Sequence, residues 1–335
     1  MNHPLSGAFA EALKLVQESR RVAILTHMRA DGDAIGSAAA LQHLIRLEGR
    51  KAHAMLFEPP SPRYAFMTQR ETLLLFDDGS GSAAVDDADL WILVDSAARL
   101  QLVPMQRRLD SRSVRLLVID HHRTRDIVGD VEIVDENASA AALLVAEWSR
   151  AAGWPLTSVA AELLFVGLAT DTGWFRHAGA DARTYRAAAE LIAAGARPDD
   201  LFARLYLTEP PERFRLFAEV MHAASFEADG QLAVMCVTPA IMKQCNATAG
   251  MTEDLINEPL KIQTVRASLL LTEMETGEIR ASLRGKEGVD VGRVAETFGG
   301  GGHRLAAGCR LSGPLAAARE RLVAAVAALL PPAAR

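Results

Sequence analysis

Three short, almost unbroken apolar runs constrain this fold more than any other feature of the chain. They are Arg21-Val22-Ala23-Ile24-Leu25-Thr26, Leu90-Trp91-Ile92-Leu93-Val94 and Val114-Arg115-Leu116-Leu117-Val118-Ile119, and the last two stop at Asp95 and Asp120. Runs of Val, Ile and Leu without polar alternation mark strands covered on both faces, the habit of a parallel sheet with helices above and below it. Helix-like stretches over Ala34–Leu47, Val159–Thr170 and Arg183–Ala194 supply such covers. The expected class is α/β, built on a doubly wound, mainly parallel sheet. Ligands of such sheets sit outside the carboxyl ends of the strands, so the polar terminations point into one crevice.

The pattern changes after Gly195. Ala196-Arg197-Pro198-Asp199-Asp200 breaks it, and 196–230 reads as a helical linker. Leu232–Thr238, Gln263–Thr272 and Gly277–Arg284 then read as strands of a smaller mixed sheet. Helices follow near Val291–Phe298 and from Pro314 to Leu330, with Pro314 suited to a helix start. The expected organisation is a catalytic domain over 1–195, the linker, and a smaller mixed α/β domain over 231–335, with a cleft between the two domains.

Half of the 335 residues are hydrophobic and 23% are charged, which supports a sizeable core and excludes wholesale disorder. No uncharged apolar run reaches the roughly 18 residues of a membrane span. The first twenty residues lack the basic start and apolar centre of a signal peptide. Cys236, Cys245 and Cys309 are odd in number and form no CxxC pair, which argues against a disulfide framework or thiolate zinc and fits a reducing cytoplasm. The net charge of −6 is uneven: from Gln231 onward 12 Lys and Arg face 10 Asp and Glu, whereas the first 230 residues hold 24 against 32. A negative front does not suit a protein that tracks long nucleic acid, where many phosphates must be neutralised. It suits a site that gathers carboxylates around cations.

Four constellations supply those carboxylates. His27 is followed by Asp31-Gly32-Asp33, directly after the first strand; Asp95 ends the second; Asp120-His121-His122 ends the third; Asp171-Thr172-Gly173 follows a helix. Each alone has a plainer reading as a turn or helix cap. Together they place five aspartates and three histidines on the side where this fold binds ligands, with no thiolate among them. Imidazole and carboxylate without sulfur select a hard or borderline divalent ion, Mn²⁺ or Mg²⁺ above structural zinc. The carboxylates are too many for one octahedral ion that keeps waters, and a two-ion site sharing one aspartate is the economical arrangement. Such a pair activates a water and stabilises both oxygens of an in-line phosphoryl displacement. GxxxxGK[ST], HExxH and GxSxG motifs are missing from the sequence.

A fifth constellation is Phe298-Gly299-Gly300-Gly301-Gly302-His303, preceded by Ser282-Leu283-Arg284. Four successive glycines cost folding entropy, so the segment is expected to need close backbone approach to something. Its amides can form an anion-binding concavity beside Arg284 and His303. The plainer reading is a flexible linker.

In order and spacing, His27…Asp31-Gly32-Asp33, Asp95, Asp120-His121-His122 and Asp171-Thr172-Gly173 resemble the four motifs of the DHH phosphoesterase superfamily. Arg280-Ala281-Ser282-Leu283-Arg284 through Gly299–His303 resembles the DHHA1 domain. The likeness spans almost the whole chain, whose compact size is similar to that of the stand-alone bifunctional oligoribonuclease and pAp phosphatase (nano-RNase) branch. The resemblance implies that His27 and Asp31 hold one metal, that Asp33, His121 and Asp171 hold the other, and that Asp95 bridges them, Mn²⁺ before Mg²⁺. It implies His122 beside the scissile phosphate, Asp120 behind the histidines, and Ser282, Arg284, Gly300, Gly301, Gly302 and His303 on the substrate. Met28-Arg29-Ala30 departs from the proline that many members carry before DGD, which touches loop rigidity. The implied reaction is attack of a metal-activated hydroxide on short oligonucleotides of about two to five residues and on pAp, in a cytoplasmic enzyme without a membrane partner, for which a homodimer is one allowed assembly. Three rivals stand beside it: a related phosphohydrolase (of pApA in cyclic di-AMP turnover, or of polyphosphate), a RecJ-like single-strand DNA exonuclease, and a non-enzymatic nucleotide-binding module.

Overall fold

A computed structural model describes residues 3–76, 79–177 and 179–331, with the side chain of His303 left aside. Two units divide the chain, Met1–Thr208 and Glu209–Arg335.

In the first unit, β1 (Arg21–Leu25), β2 (Lys51–Leu56), β3 (Leu74–Leu75), β4 (Leu90–Val94), β5 (Arg115–Asp120) and β6 (Val131–Val134) form one sheet in the order β3-β2-β1-β4-β5-β6. Every pairing is parallel. Side chains alternate between two cores: Val22, Ile24, Leu90, Ile92, Leu117 and Ile119 enter one, while Ala23, Leu25, Trp91, Leu93, Leu116 and Val118 enter the other. That double burial is why the runs look unbroken.

The helices are α1 (Ser6–Glu18), α2 (Gly32–Leu47), α3 (Ala65–Arg70), α4 (Ser80–Asp87), α5 (Gln106–Asp110), α6 (Ala141–Ala151), α7 (Ser158–Asp171), α8 (Ala182–Ala193) and α9 (Pro198–Tyr206). Val85 of α4 and Leu109 of α5 join the smaller core; the remaining helices feed the larger. The strand order reverses between β1 and β4, the point at whose carboxyl ends sheets of this kind bind their ligands.

Helices α2 and α7 run antiparallel at backbone distance. A Cβ on Gly32 would lie 2.4 Å from Thr170 Oγ1, and one on Gly36 2.4 Å from the Leu163 carbonyl oxygen. A Cβ on Gly167 would lie 2.8 Å from both Ala142 Cβ and Asp33 Oδ1. Small residues on both helices thus set the start of α2, with its two aspartates, against the end of α7, with Asp171.

The second unit holds α10 (Pro211–His222), β7 (Ser225–Glu227), β8 (Leu232–Val237), α11 (Pro239–Cys245), β9 (Ala267–Glu273), β10 (Ile279–Gly285), α12 (Val291–Thr297), β11 (Gly301–His303), β12 (Ala306–Leu311) and α13 (Leu315–Ala327). Its sheet runs β11-β12-β10-β9-β8-β7, parallel between β8 and β9 and antiparallel elsewhere. The stretch read as a helical linker is shared between the units: α9 closes the first, and α10 with β7 opens the second. Part of the glycine run, for which a flexible linker is the plainer reading, is strand β11. Among the described residues no helix is long and apolar enough to cross a membrane.

Candidate metal centre

The site is assembled from four chain segments that end at one edge of the parallel sheet. After β1, His27 Nδ1 donates to the Met28 carbonyl oxygen at 2.8 Å, which leaves Nε2 facing the crevice. Asp31 caps α2 and accepts from the Asp33 and Ala34 amides at 3.0 and 3.1 Å. Asp33 is buried and accepts from Ser37 Oγ (3.1 Å) and from the Ala141 and Ala142 amides (2.6 and 2.9 Å). It therefore closes the start of α6 as well, whose own N-cap residue, Ala140, has no side chain able to do so.

After β4, Asp95 takes a left-handed backbone with φ of 64° and is 2% exposed. At the end of β5, His121 Nδ1 donates to the Ala138 carbonyl oxygen at 3.1 Å, and His122 Nδ1 meets Asp120 Oδ1 at 2.8 Å. Asp171 is the last residue of α7.

These ends converge. His27 Nε2 lies 3.5 Å from Asp95 Oδ2, and His121 Nε2 lies 3.3 Å from Asp95 Oδ1, 3.5 Å from Asp171 Oδ2 and 3.9 Å from Asp33 Oδ2. Three sets of ligand atoms each fall within 4.8 Å: His27–Asp31–Asp95, Asp33–His121–Asp171, and Asp95–His121–His122. The first two are the sets expected for two ions, and the third links Asp95 to both β5 histidines.

The chemistry of this donor set fits divalent cations. Asp95 Oδ1 and Asp120 Oδ2 are buried with no hydrogen-bond donor aligned on them. Such an orphaned carboxylate oxygen costs free energy that a cation would return. Both His27 and His121 spend Nδ1–H on a backbone carbonyl and present Nε2, the arrangement typical of imidazole ligands.

Residues 21–168 match the N-terminal domain of the DHH family, and residues 229–330 match the DHHA1 domain. The bifunctional oligoribonuclease and PAP phosphatase NrnA of Thermus thermophilus is 30% identical over 320 residues, which cover 95% of this chain and 92% of that protein. This chain belongs to the DHH/DHHA1 family. Its Bacillus subtilis relative of the same description is 27% identical, with 90% and 92% covered. An exopolyphosphatase-related protein from Bacteroides fragilis shares the fold at a TM-score of 0.90 and 25% identity, covering 96% of this chain and 95% of its own. RecJ of Thermus thermophilus, solved in complex with Mn²⁺, is 19% identical with a TM-score of 0.57; the match covers 99% of this chain and 55% of RecJ, and shows the fold alone.

The charges of the DHH unit are strongly interdependent. Burial alone would deprotonate the His27 imidazole, but the Asp95 and Asp31 carboxylates outweigh it and raise its pKa to about 9. Burial likewise opposes charge on His121, and Asp95, Asp33 and Asp171 override it, to about 10. Burial, together with the Asp95 and Asp31 charges, lifts Asp171 to about 6 against the pull of His121. Asp33 goes well above its usual range through burial and the Asp95 and Asp171 charges. Asp31, more open to solvent, is raised by the dense protein around it and by Asp95. Asp95 is the exception: burial would raise it, but His121 and His27 hold it low. Too many carboxylates share one low-dielectric place, a condition that protons or divalent cations relieve. His122 stands apart, its pKa raised chiefly by the Asp120 hydrogen bond, with its side chain 43% exposed.

Behind Asp171 the backbone is strained. Gly173, Trp174 and Phe175 have φ of 58°, 59° and 61°. Left-handed backbone costs a non-glycine residue roughly 1–2 kcal/mol, and such residues normally occur singly.

In the DHHA1 unit, register places the expected substrate residues. Ser282, Gly308 and Gly301 form one row across β10, β12 and β11, and Arg284, Ala306 and His303 form the next row on the same face. The His303 side chain lies outside the described residues. Around a Cβ on Gly301 there is nothing within 4 Å. Gly300 and Gly302 answer to packing instead: their Cβ atoms would fall 2.2 Å from the Gly308 carbonyl oxygen and 2.5 Å from that of Ala306. The close approach expected of the glycine run is thus to β12 at two of its positions. Arg284 is half-buried and donates to the Leu283 carbonyl oxygen at 3.1 Å; burial pushes its pKa down, opposed by Asp254. Ser268, opposite Arg284 on β9, is buried with its hydroxyl unpaired, and no sequence pattern points to it.

Proposed function

We propose that this chain is a metal-dependent phosphoesterase that hydrolyses short oligoribonucleotides, of about two to five residues, to mononucleotides, and pAp to AMP and phosphate. The observation that carries this reading is Asp95, a buried carboxylate that shares one ligand set with His27 and Asp31 and lies 3.3 Å from His121 of the other. Relatives described as bifunctional oligoribonuclease and PAP phosphatase, alike over nearly the whole chain, support the substrate class.

In this reading His27 and Asp31 hold one cation, Asp33, His121 and Asp171 hold the second, and Asp95 serves both, with Mn²⁺ as the resident ion. Bound divalent ions supply Lewis acidity that activates water and offsets phosphoryl charge. His122, kept protonated by Asp120 behind it, donates to a phosphate oxygen and stabilises charge that develops there. Asp120 orients that imidazole through Nδ1. Residues 1–195 carry the chemistry and 231–335 the substrate grip, through Arg284, Ser282, the amides of Gly300, Gly301 and Gly302, and His303. Arg284, half-buried without a carboxylate hydrogen bond among the described residues, is suited to a terminal phosphate. We place the enzyme in the cytoplasm, with no membrane partner and with a homodimer as one allowed assembly.

A turnover panel with Mn²⁺ tests the proposal, using pAp, pApA, two- to five-residue RNA, long single-stranded DNA and polyphosphate. Turnover of pAp and short RNA well above the others is expected. Preference for pApA alone would move the assignment to dinucleotide hydrolysis, and degradation of long DNA would move it to a RecJ-like exonuclease. Tight binding of pAp without turnover would leave only a binding module.

A further inference from the structure

Asp171 is held differently from the two aspartates at the start of α2. Asp33 accepts three hydrogen bonds and Asp31 two. Among the described residues no hydrogen bond reaches the Asp171 carboxylate, and its ion contact is His121 at 3.5 Å. Its placement therefore falls to the backbone.

That backbone turns left-handed two residues later. The Gly173 and Trp174 amides reach back to the carbonyl oxygens of Thr170 (3.0 Å) and Ala169 (2.5 Å), on the last turn of α7 beside Asp171. The Arg176 and His177 amides both donate to the Thr172 carbonyl oxygen, at 3.1 and 3.0 Å, and the Phe175 amide donates to Thr172 Oγ1 at 3.1 Å. With all five amides engaged, the turn has none left for an anion.

Two bulky aromatic residues persist in left-handed backbone only where their surroundings over-determine them. Here the surroundings are rings. Trp174 meets Phe202 and Tyr206 of α9 edge-on, at centroid distances of 5.2 and 5.6 Å, and Phe165 of α7 at 6.0 Å. Phe175 packs on Phe165 at 5.7 Å and stacks on Tyr185 of α8 at 5.5 Å. The sequence singles out Asp171-Thr172-Gly173 but carries no sign that the next side chain works on the motif.

We infer that Trp174 is a positioning residue for Asp171: docked among Phe165, Phe202 and Tyr206, its ring holds the left-handed turn, and the turn holds the aspartate at the cation cluster. This rests on the two-ion reading given above.

Manganese titration followed by electron paramagnetic resonance tests the inference without reference to turnover, with circular dichroism and Tm as controls for folding. Trp174→Ala is expected to weaken one of the two ions about tenfold or more, while the other stays within about twofold. Trp174→Phe, which keeps a ring, is expected to recover most of that loss. Trp174→Gly relieves the backbone and removes the ring, so it behaves as Trp174→Ala if ring docking is what matters. Asp171→Ala is the reference and should lose the same ion. A folded Trp174→Ala protein that binds both ions like the parent, beside an Asp171→Ala protein that loses one, overturns the positioning role alone. Retention of both ions by Asp171→Ala overturns the two-ion reading beneath it. Should Trp174→Ala fail to fold, Phe202→Ala carries the test, with a loss of about threefold expected, the size of one ring pair; no loss there overturns the inference.

Discussion

The two units handle charge in opposite ways. The DHH unit crowds four aspartates and three histidines into one cluster, of which Asp33 and His121 are pinned by hydrogen bonds from other parts of the chain. The DHHA1 unit offers a half-buried guanidinium and open backbone on the face of a mixed sheet. Concentrated negative charge suits cations that stay; dispersed positive charge suits an anion that comes and goes. Substitutions should therefore split between chemistry and affinity according to the unit they fall in.

The largest expected effect is in the first unit. Asp95→Ala should lower kcat/KM for every substrate by more than about a hundredfold, beyond what loss of a supporting group costs, because both ions lose a ligand. Retention of a tenth of the activity would break the assignment of a shared aspartate. Next, Arg284→Ala should raise KM for pAp by roughly 10–100-fold, the value of one or two charge-assisted hydrogen bonds, at unchanged manganese affinity. A parallel fall in manganese affinity would erase the contrast between the units.

A third test stays inside the glycine run. Gly302 has a φ of 141° and its Cβ would crowd Ala306 and Ala307, so Gly302→Ala should destabilise the protein by about 1–3 kcal/mol in denaturant titration. Gly301→Ala, with open space around it, should stay within about 0.5 kcal/mol and change KM instead. Equal destabilisation by both would mean that neither glycine is reserved for substrate.

The last test concerns pH. In metal-free protein His27 and His121 titrate at about 9 and about 10, against 6.5 in an unfolded chain. The folded state then binds more protons than the unfolded state above pH 6.5, so this stabilisation is full below that value and is lost as pH rises through about 9–10. Saturating Mn²⁺ should flatten the slope, because ligated imidazoles cannot keep those protons. Denaturation midpoints at several pH values, with chelator or with Mn²⁺, measure it; identical slopes would argue that the imidazoles do not meet the ions.

The parallel sheet was legible because β1, β4 and β5 are buried on both faces, and burial leaves its mark in residue type. The shorter edge strands β3 and β6, and β2 with its Lys51 and His53, carry no such mark. The candidate ligands that the structure brings together stood out through their positions at strand and helix ends. What lay beyond sequence reading was long-range: the bonds from Ala141 and Ala142 to Asp33, more than a hundred residues away, and the carbonyl of Ala138 behind His121. No local pattern encodes them. The glycine run was legible as special but not as divided, since only the register of β11 on β12 separates its packed positions from its open one.

Asp33 completes α6 with the same carboxylate that, in the proposed site, would face the cations. A variant that lost this side chain would forfeit its catalyst and loosen part of its own frame together, so an inert yet sturdy descendant is harder to reach from here than from an enzyme whose reactive groups decorate an independent scaffold.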